Sequence, residues 1–405
     1  MTYRLPYFVG LIPLLVALSS PALAVGVNET IESFVTHDGY QIQCNLSYPD
    51  RPGERFPAML MIAGSGLHDA DVTLDEPTLA ITRGQQTLFR PLARHFSRRG
   101  WAVMRCNKRG ASFQHRNDSR HLLEASSLED LVEDARHALR LLHSHRRVLA
   151  SPLVVFGHSE GADIATRLAL QVAEIDLLVL VGSAARSAGD LLEYQLVDRN
   201  LNFFRQAADT NGDGALTLAE LDGLDGRTGM GSIYVYNSAE VLFQLAPSTS
   251  GERVVRSFNP LTDSNGDGKL EIDTEIEPRL RHEAYRFLAL AARGGLGRYW
   301  QSTIESEAPI ALIHQVNSPI LFVHGELDAQ IPLDEPLALM AKLESRGRST
   351  YDLLVIPAAG HSLSRPNDFY SGDEGLTILD NLTLNAPPLT VRRQILQRIE
   401  AILAR

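Results

Sequence analysis

The sequence predicts an α/β fold, a doubly wound and mostly parallel sheet covered by helices on both faces, with a mainly helical cap inserted into it. Three observations lead there. Short apolar runs at Ala58–Ile62, Ala102–Arg105, Leu153–Phe156, Leu177–Val181, Ile320–Val323 and Leu353–Ile356 have the length and continuity of strands buried on both faces. Helical patterns separate them, as the crossovers of a parallel sheet require. The alternation fails between Arg186 and Val316 and then resumes at Ile320, which marks an insertion rather than a second consecutive domain.

The chain has 405 residues, 44% of them apolar and 21% charged, with a formal net charge of −11. That is ample material for a buried core. An acidic chain without a basic stripe offers no electrostatic footprint for nucleic acid.

Residues 1–24 read as an export leader. Arg4 gives the positive start, Phe8–Leu18 the apolar stretch, and Ala22-Leu23-Ala24 a small-x-small cleavage site. The stretch contains Pro13 and is short for a bilayer span; an uncleaved anchor is the alternative. No later segment has the apolar length of a span, so the expected product is exported, to periplasm or medium. Cys44 and Cys106 are the two cysteines. Both fall in apparent strands, and two reduced, buried thiols are the expectation, with a disulfide as the alternative in an oxidising compartment.

The core is expected in two parts, 25–185 and 317–405, around an inserted cap at 186–316. Ile31–Pro49 reads as an antiparallel hairpin turned at Asp38-Gly39. Ser127 opens a helix to about His143 with Leu131, Ala135, Ala138, Leu139 and Leu142 on one face. Glu160–Val172, Leu337–Glu344 and Leu389–Leu403 carry further helical patterns.

Leu153–Phe156 runs straight into Gly157-His158-Ser159-Glu160-Gly161, and a helix follows. Gly-x-Ser-x-Gly between strand and helix lifts the serine onto a tight turn at a helix N-terminus. A serine nucleophile needs a base and an orienting acid, in the chain order Ser, Asp or Glu, His. Asp328 follows the strand at Ile320–Val323, and His361 follows the strand at Leu353–Ile356. Ser159, Asp328 and His361 are therefore the candidate triad, with Glu326 the rival acid and His158 and His324 neighbours of the site. The oxyanion would be held by the backbone N–H of Glu160 and by that of Ser65 or Gly66 in the Gly64-Ser65-Gly66 turn.

Gly64-Ser65-Gly66 with Asp69 and Asp71, then Asn107-Lys108-Arg109-Gly110, then Gly-His-Ser-Glu-Gly, resembles a group of bacterial α/β-hydrolase esterases similar to prolyl-oligopeptidase catalytic domains. The resemblance covers about Ile31–Ala185 and Ser318–Arg405. It implies the α/β-hydrolase fold and carboxylester hydrolysis of a small-molecule substrate. Two departures are Ala63, where such proteins often carry His, and Asn107, where they often carry Asp. A peptidase or amidase on the same fold, and a non-catalytic calcium-dependent binding module, are the alternatives.

The insertion carries two loops of calcium-binding type. In the first, Asp209, Asn211, Asp213, Thr217 and Glu220 occupy oxygen-ligand positions, the Ala215 carbonyl supplies another, and Gly214 makes the sharp turn. In the second, Asp263, Asn265, Asp267, the Lys269 carbonyl and Glu271 follow the same spacing, but Thr274 stands where the bidentate Glu belongs. Asp273 or Glu275 would reach in only with altered loop geometry. Structural Ca²⁺ in the cap is the expected cofactor, with none for the chemistry.

Overall fold

The computed structural model describes residues 26–73, 87–221, 241–247, 253–364 and 387–405. The expected leader, 1–24, lies outside them. The main sheet has eight strands in the order β1-β2-β4-β3-β5-β6-β11-β12. These are β1 Val27–Val35, β2 Gln41–Pro49, β3 Phe56–Ile62, β4 Ala102–Cys106, β5 Val148–His158, β6 Leu177–Val181, β11 Ile320–Gly325 and β12 Tyr351–Ile356. β2 runs antiparallel to β1 and β4, and the remaining pairings are parallel. The apolar runs are strands because both faces are covered: every residue of β6 and β11 is buried.

Two apolar layers sandwich the sheet. One packs Leu46, Leu60, Val155 and Phe322 against helix Leu128–Ser144 and helix Glu160–Ala169. The other packs Met59, Val154, Val179 and Val323 against helices Phe89–Arg98 and Leu389–Leu403. The capping expected at Ser127 is present as a full reciprocal box: Ser127 accepts from the Asp130 amide, and the Asp130 carboxylate accepts from the Ser127 amide. Such a cap stabilises a helix by about 1 kcal/mol. It fixes where Leu128–Ser144 begins and so which face reaches the sheet.

Cys44 and Cys106 are joined as a disulfide, which corrects the expectation of free thiols. They sit directly opposite one another across β2 and β4. Strand register, which the linear sequence does not display, makes them partners.

The insertion joins β6 to β11, adjacent strands of the sheet. It has a small core of its own, built from Val197, Leu201, Phe204, Leu216, Leu242, Phe258, Leu270, Ile276 and Leu280. Its helical expectation was incomplete. A continuous helical run, Ala188–Ala208, contains two π turns, but the segment also holds the hairpin of β8 Phe243–Pro247 with β9 Arg253–Phe258. The two Asp/Asn/Gly-rich loops pair with each other through β7 Ala215–Leu216 and β10 Leu270–Glu271. Leu216 and Leu270 face each other, both buried. That apolar contact, absent from any one loop, holds the pair together.

Candidate active site

The elbow is built by exclusion. Ser159 has φ 57° and ψ −125°, an uncommon conformation for a residue with a side chain. The turn closes because Gly157 and Gly161 carry none: a β-carbon on Gly157 would lie 2.2 Å from the Gly161 carbonyl oxygen, and one on Gly161 equally near that of Ile62. The Ser159 amide donates to Val181 O at 2.8 Å, tying the elbow to the end of β6. Helix Glu160–Ala169 starts at the next residue, with its N-terminal amides aimed toward the serine side.

His361 and Asp328 come together on the loops after β12 and β11. His361 Nδ1 lies 2.7 Å from Asp328 Oδ2, and both residues are buried. Burial alone would raise the Asp328 carboxyl, but the charge and hydrogen bond of His361, the nearby His324 and the Ile331 amide together hold it below its ordinary value. Asp328 Oδ1 also accepts from the Gln330 and Ile331 amides at 2.9 and 3.0 Å, so the carboxylate is fixed on both oxygens. Glu326, the rival acid, turns away and accepts from the Ala358 amide.

The neighbouring histidines hold the pair in place. His158 Nε2 donates to the His361 carbonyl at 3.0 Å, and the two rings stand 4.8 Å apart. Burial pushes His158 down to about 3, with the adjacent His361 adding to it, so it stays neutral. His324 Nε2 donates to Ile331 O at 2.8 Å and buttresses the acid loop. Gly182 was not apparent from the sequence: it has φ 54°, and a β-carbon there would fall 2.9 Å from His361 Cε1.

The Gly64-Ser65-Gly66 turn lies against Ser159. A β-carbon on Gly64 would be 2.9 Å from Ser159 Cβ and 3.4 Å from its Oγ. Asn107 Oδ1 accepts from the Ala70 amide at 2.7 Å. Asp69, fully buried, accepts from the Thr73 and Gln114 amides and from the Thr73 hydroxyl. These bonds set the turn's exit.

The sheet order with its one reversed strand, Ser159 on its elbow after β5, Asp328 after β11 and His361 after β12 settle the architecture. The fold is that of an α/β-hydrolase. Two family models each match a part of the chain. The model described as serine aminopeptidase, S33, matches residues 85–209, which include Ser159. That of the prolyl oligopeptidase family matches residues 293–374, which include Asp328 and His361. Esterase EstD of Thermotoga maritima is 30% identical over 141 residues, 35% of this chain and 30% of the esterase's length. Among solved structures, the α/β hydrolase GrgF from a Penicillium species aligns over 93% of this chain and 98% of its own, with 16% identity and a TM-score of 0.47. The Pyrococcus horikoshii acylaminoacyl peptidase aligns over 84% of this chain and 38% of its own, with 12% identity and a TM-score of 0.45.

In the insertion, the two loops have matching internal geometry. The Gly212 and Gly214 amides donate to Asp209, as the Gly266 and Gly268 amides donate to Asp263. Glu220 accepts from the Thr210 and Thr217 amides. Its counterpart in the second loop is Glu275, which accepts from the Ser264 and Glu271 amides. The π turn at Ile272–Ile276 accommodates the one extra residue that brings Glu275, rather than Thr274, to that place. Among the described residues, no three His, Cys, Asp or Glu side chains converge on one point as a ready-made metal site. No helix among them is long and apolar enough to cross a membrane.

Proposed function

We propose that this chain is an exported serine hydrolase that cleaves carboxylic esters through an acyl-enzyme on Ser159. The observation that carries the reading is the buried Asp328–His361 pair at 2.7 Å, held by His158 against the strained Ser159 elbow. Asp328 accepts from Nδ1 and so leaves Nε2 as the basic nitrogen. His361 takes the Ser159 proton, the oxygen attacks the ester carbonyl, and the same imidazole returns the proton to the departing alcohol. Water then attacks the acyl-enzyme with His361 again as base. The Glu160 amide and that of Ser65 or Gly66 hold the oxyanion. The similarity to Esterase EstD supports ester cleavage.

A peptidase reading is the second, favoured by the descriptions of both matching family models. Short and medium p-nitrophenyl esters assayed beside peptide p-nitroanilides separate them. Ester turnover at least tenfold the faster supports the esterase; the reverse supports the peptidase.

Export is supported by the Cys44–Cys106 disulfide, which persists in oxidising compartments. Calcium in the cap is supported by the donor set: Asp209, Asn211, Asp213, the Ala215 carbonyl, Thr217 and Glu220 in one loop, and Asp263, Asn265, Asp267, the Lys269 carbonyl, Glu271 and Glu275 in the other. A hard cation with many oxygen ligands suits such carboxylate, amide and carbonyl groups. The ion would order the insertion and take no part in the chemistry.

A further inference from the structure

Beside the nucleophile lies a buried ionic cluster that the triad does not use. Lys108, at the end of β4, places Nζ 2.6 Å from Glu160 Oε2 and also donates to the Gly64 carbonyl. Tyr299 donates its hydroxyl to the other carboxylate oxygen, Oε1. Lys108 further sits over the Tyr299 ring, 5.9 Å from its centroid. Tyr299 is only 3% exposed. Its phenol is raised well above the ordinary value by burial, then by the Glu160 charge and hydrogen bond, while the Gly66 amide works the other way. The hydroxyl therefore stays protonated and donates to Glu160.

These contacts span the proposed oxyanion site. Glu160 follows the nucleophile and supplies one expected donor amide; Ser65 or Gly66, in the turn that Gly64 opens, supplies the other. Lys108 bridges Glu160 to Gly64, and Tyr299 holds the other oxygen of the same carboxylate. Both segments are thus clamped relative to each other from the same carboxylate. Stability alone does not account for such a cluster, since a buried ion pair is often no more stabilising than apolar residues of the same volume.

Tyr299 comes from the insertion and is itself firmly seated. Its helix, Arg298–Glu305, docks on the core through Ser302 Oγ, which accepts from the Leu128 amide at 2.9 Å. Gly297, at φ 94°, permits that approach: a β-carbon there would lie 2.6 Å from the Glu124 carbonyl. Trp300 packs edge-on against Phe287 of helix Glu277–Ala292, 5.5 Å between centroids.

We infer that Tyr299 is a positioning residue through which the inserted segment sets the oxyanion hole, acting on the two donor segments by way of Glu160 and the Lys108 that ties Glu160 to Gly64. The inference rests on the serine-hydrolase reading. Oxyanion donors stabilise charge that develops only in the transition state, so loss of their alignment lowers the chemical rate more than ground-state binding.

The test uses a fluorophosphonate on the full mature chain. Ser159 Oγ forms the bond to phosphorus, the P–F bond breaks, fluoride leaves, His361 takes the serine proton, and the phosphoryl oxygen occupies the oxyanion site. In Tyr299→Phe the limiting labelling rate is expected to fall about ten- to a hundredfold, with half-saturation within about twofold of wild type. Wild-type labelling kinetics in a folded Tyr299→Phe overturn the inference and leave Ser159 as the nucleophile. Failure of the wild type to label, or equal labelling of Ser159→Ala, overturns the serine reading and the inference with it. Should Tyr299→Phe not fold, Glu160→Gln carries the same test, since it keeps the shape and removes the charge that both donors share.

Discussion

Gly182 stands against the imidazole of His361: a β-carbon at that position would lie 2.9 Å from Cε1 and 3.1 Å from Nδ1. The residue directly follows β6, so the proposed base is seated by a position with no side chain. Gly182→Ala must displace the ring, the backbone or both. The expected outcome is kcat/KM lowered about a hundredfold, with a melting temperature a few degrees below wild type. Steady-state kinetics beside a thermal melt check it.

Asp328 and Glu326 are distinguished by what they accept. Asp328→Asn removes the carboxylate that selects the His361 tautomer and is expected to lower kcat by on the order of 10³–10⁴-fold. Glu326→Gln, whose carboxylate bonds only the Ala358 amide among the described contacts, is expected to stay within about threefold of wild type. Equal losses in both would reassign the acid.

His158 gives stability a pH dependence of known sign. Its folded-state value is depressed to about 3, whereas an unfolded histidine titrates near 6.5. Below about pH 6.5 the unfolded chain binds a proton there that the folded chain refuses, so stability falls as pH falls and levels off near pH 3. Between pH 6 and 5 this group alone removes roughly 1 kcal/mol. Denaturant titrations of wild type and His158→Gln at both pH values should differ in slope by about that amount, with the variant the flatter.

Replacing both Cys44 and Cys106 by alanine releases a bridge between residues 62 positions apart. A closed loop of that length is worth about 2–4 kcal/mol, and the double variant should lose that in equilibrium unfolding while keeping its turnover at low temperature.

Calcium linkage is expected in the insertion. Chelator should lower the melting temperature of the wild type, and Glu220→Gln and Glu275→Gln should each shrink that shift, whereas Thr274→Ala should not. Thermal melts at fixed calcium activity measure it. A melt unmoved by chelator contradicts the proposed ion.

The core and the order of its functional loops were legible because they are local signals. Leu177–Val181 reads as a buried strand on composition alone, and Gly157–Gly161 reads as an elbow because strand, glycines and helix are contiguous. What escaped the sequence depends on contacts between distant segments. Nothing near Tyr299 in the chain points to Glu160, 139 positions away. Gly182 is an unremarked glycine until His361 is folded against it. Cys44 and Cys106 become partners only through register. Glu275, offered by the sequence only as an alternative to Asp273, is singled out by a π turn that absorbs the one-residue excess in the loop spacing.

The central claim is that Ser159 attacks the substrate carbonyl. The most direct measurement is hydrolysis of p-nitrophenyl acetate and butyrate by the wild-type chain and by Ser159→Ala, with thermal melts to show that both are folded. The account predicts steady turnover by the wild type and a loss of at least about a thousandfold in the variant. Equal turnover in the two proteins, or none in either, would contradict it.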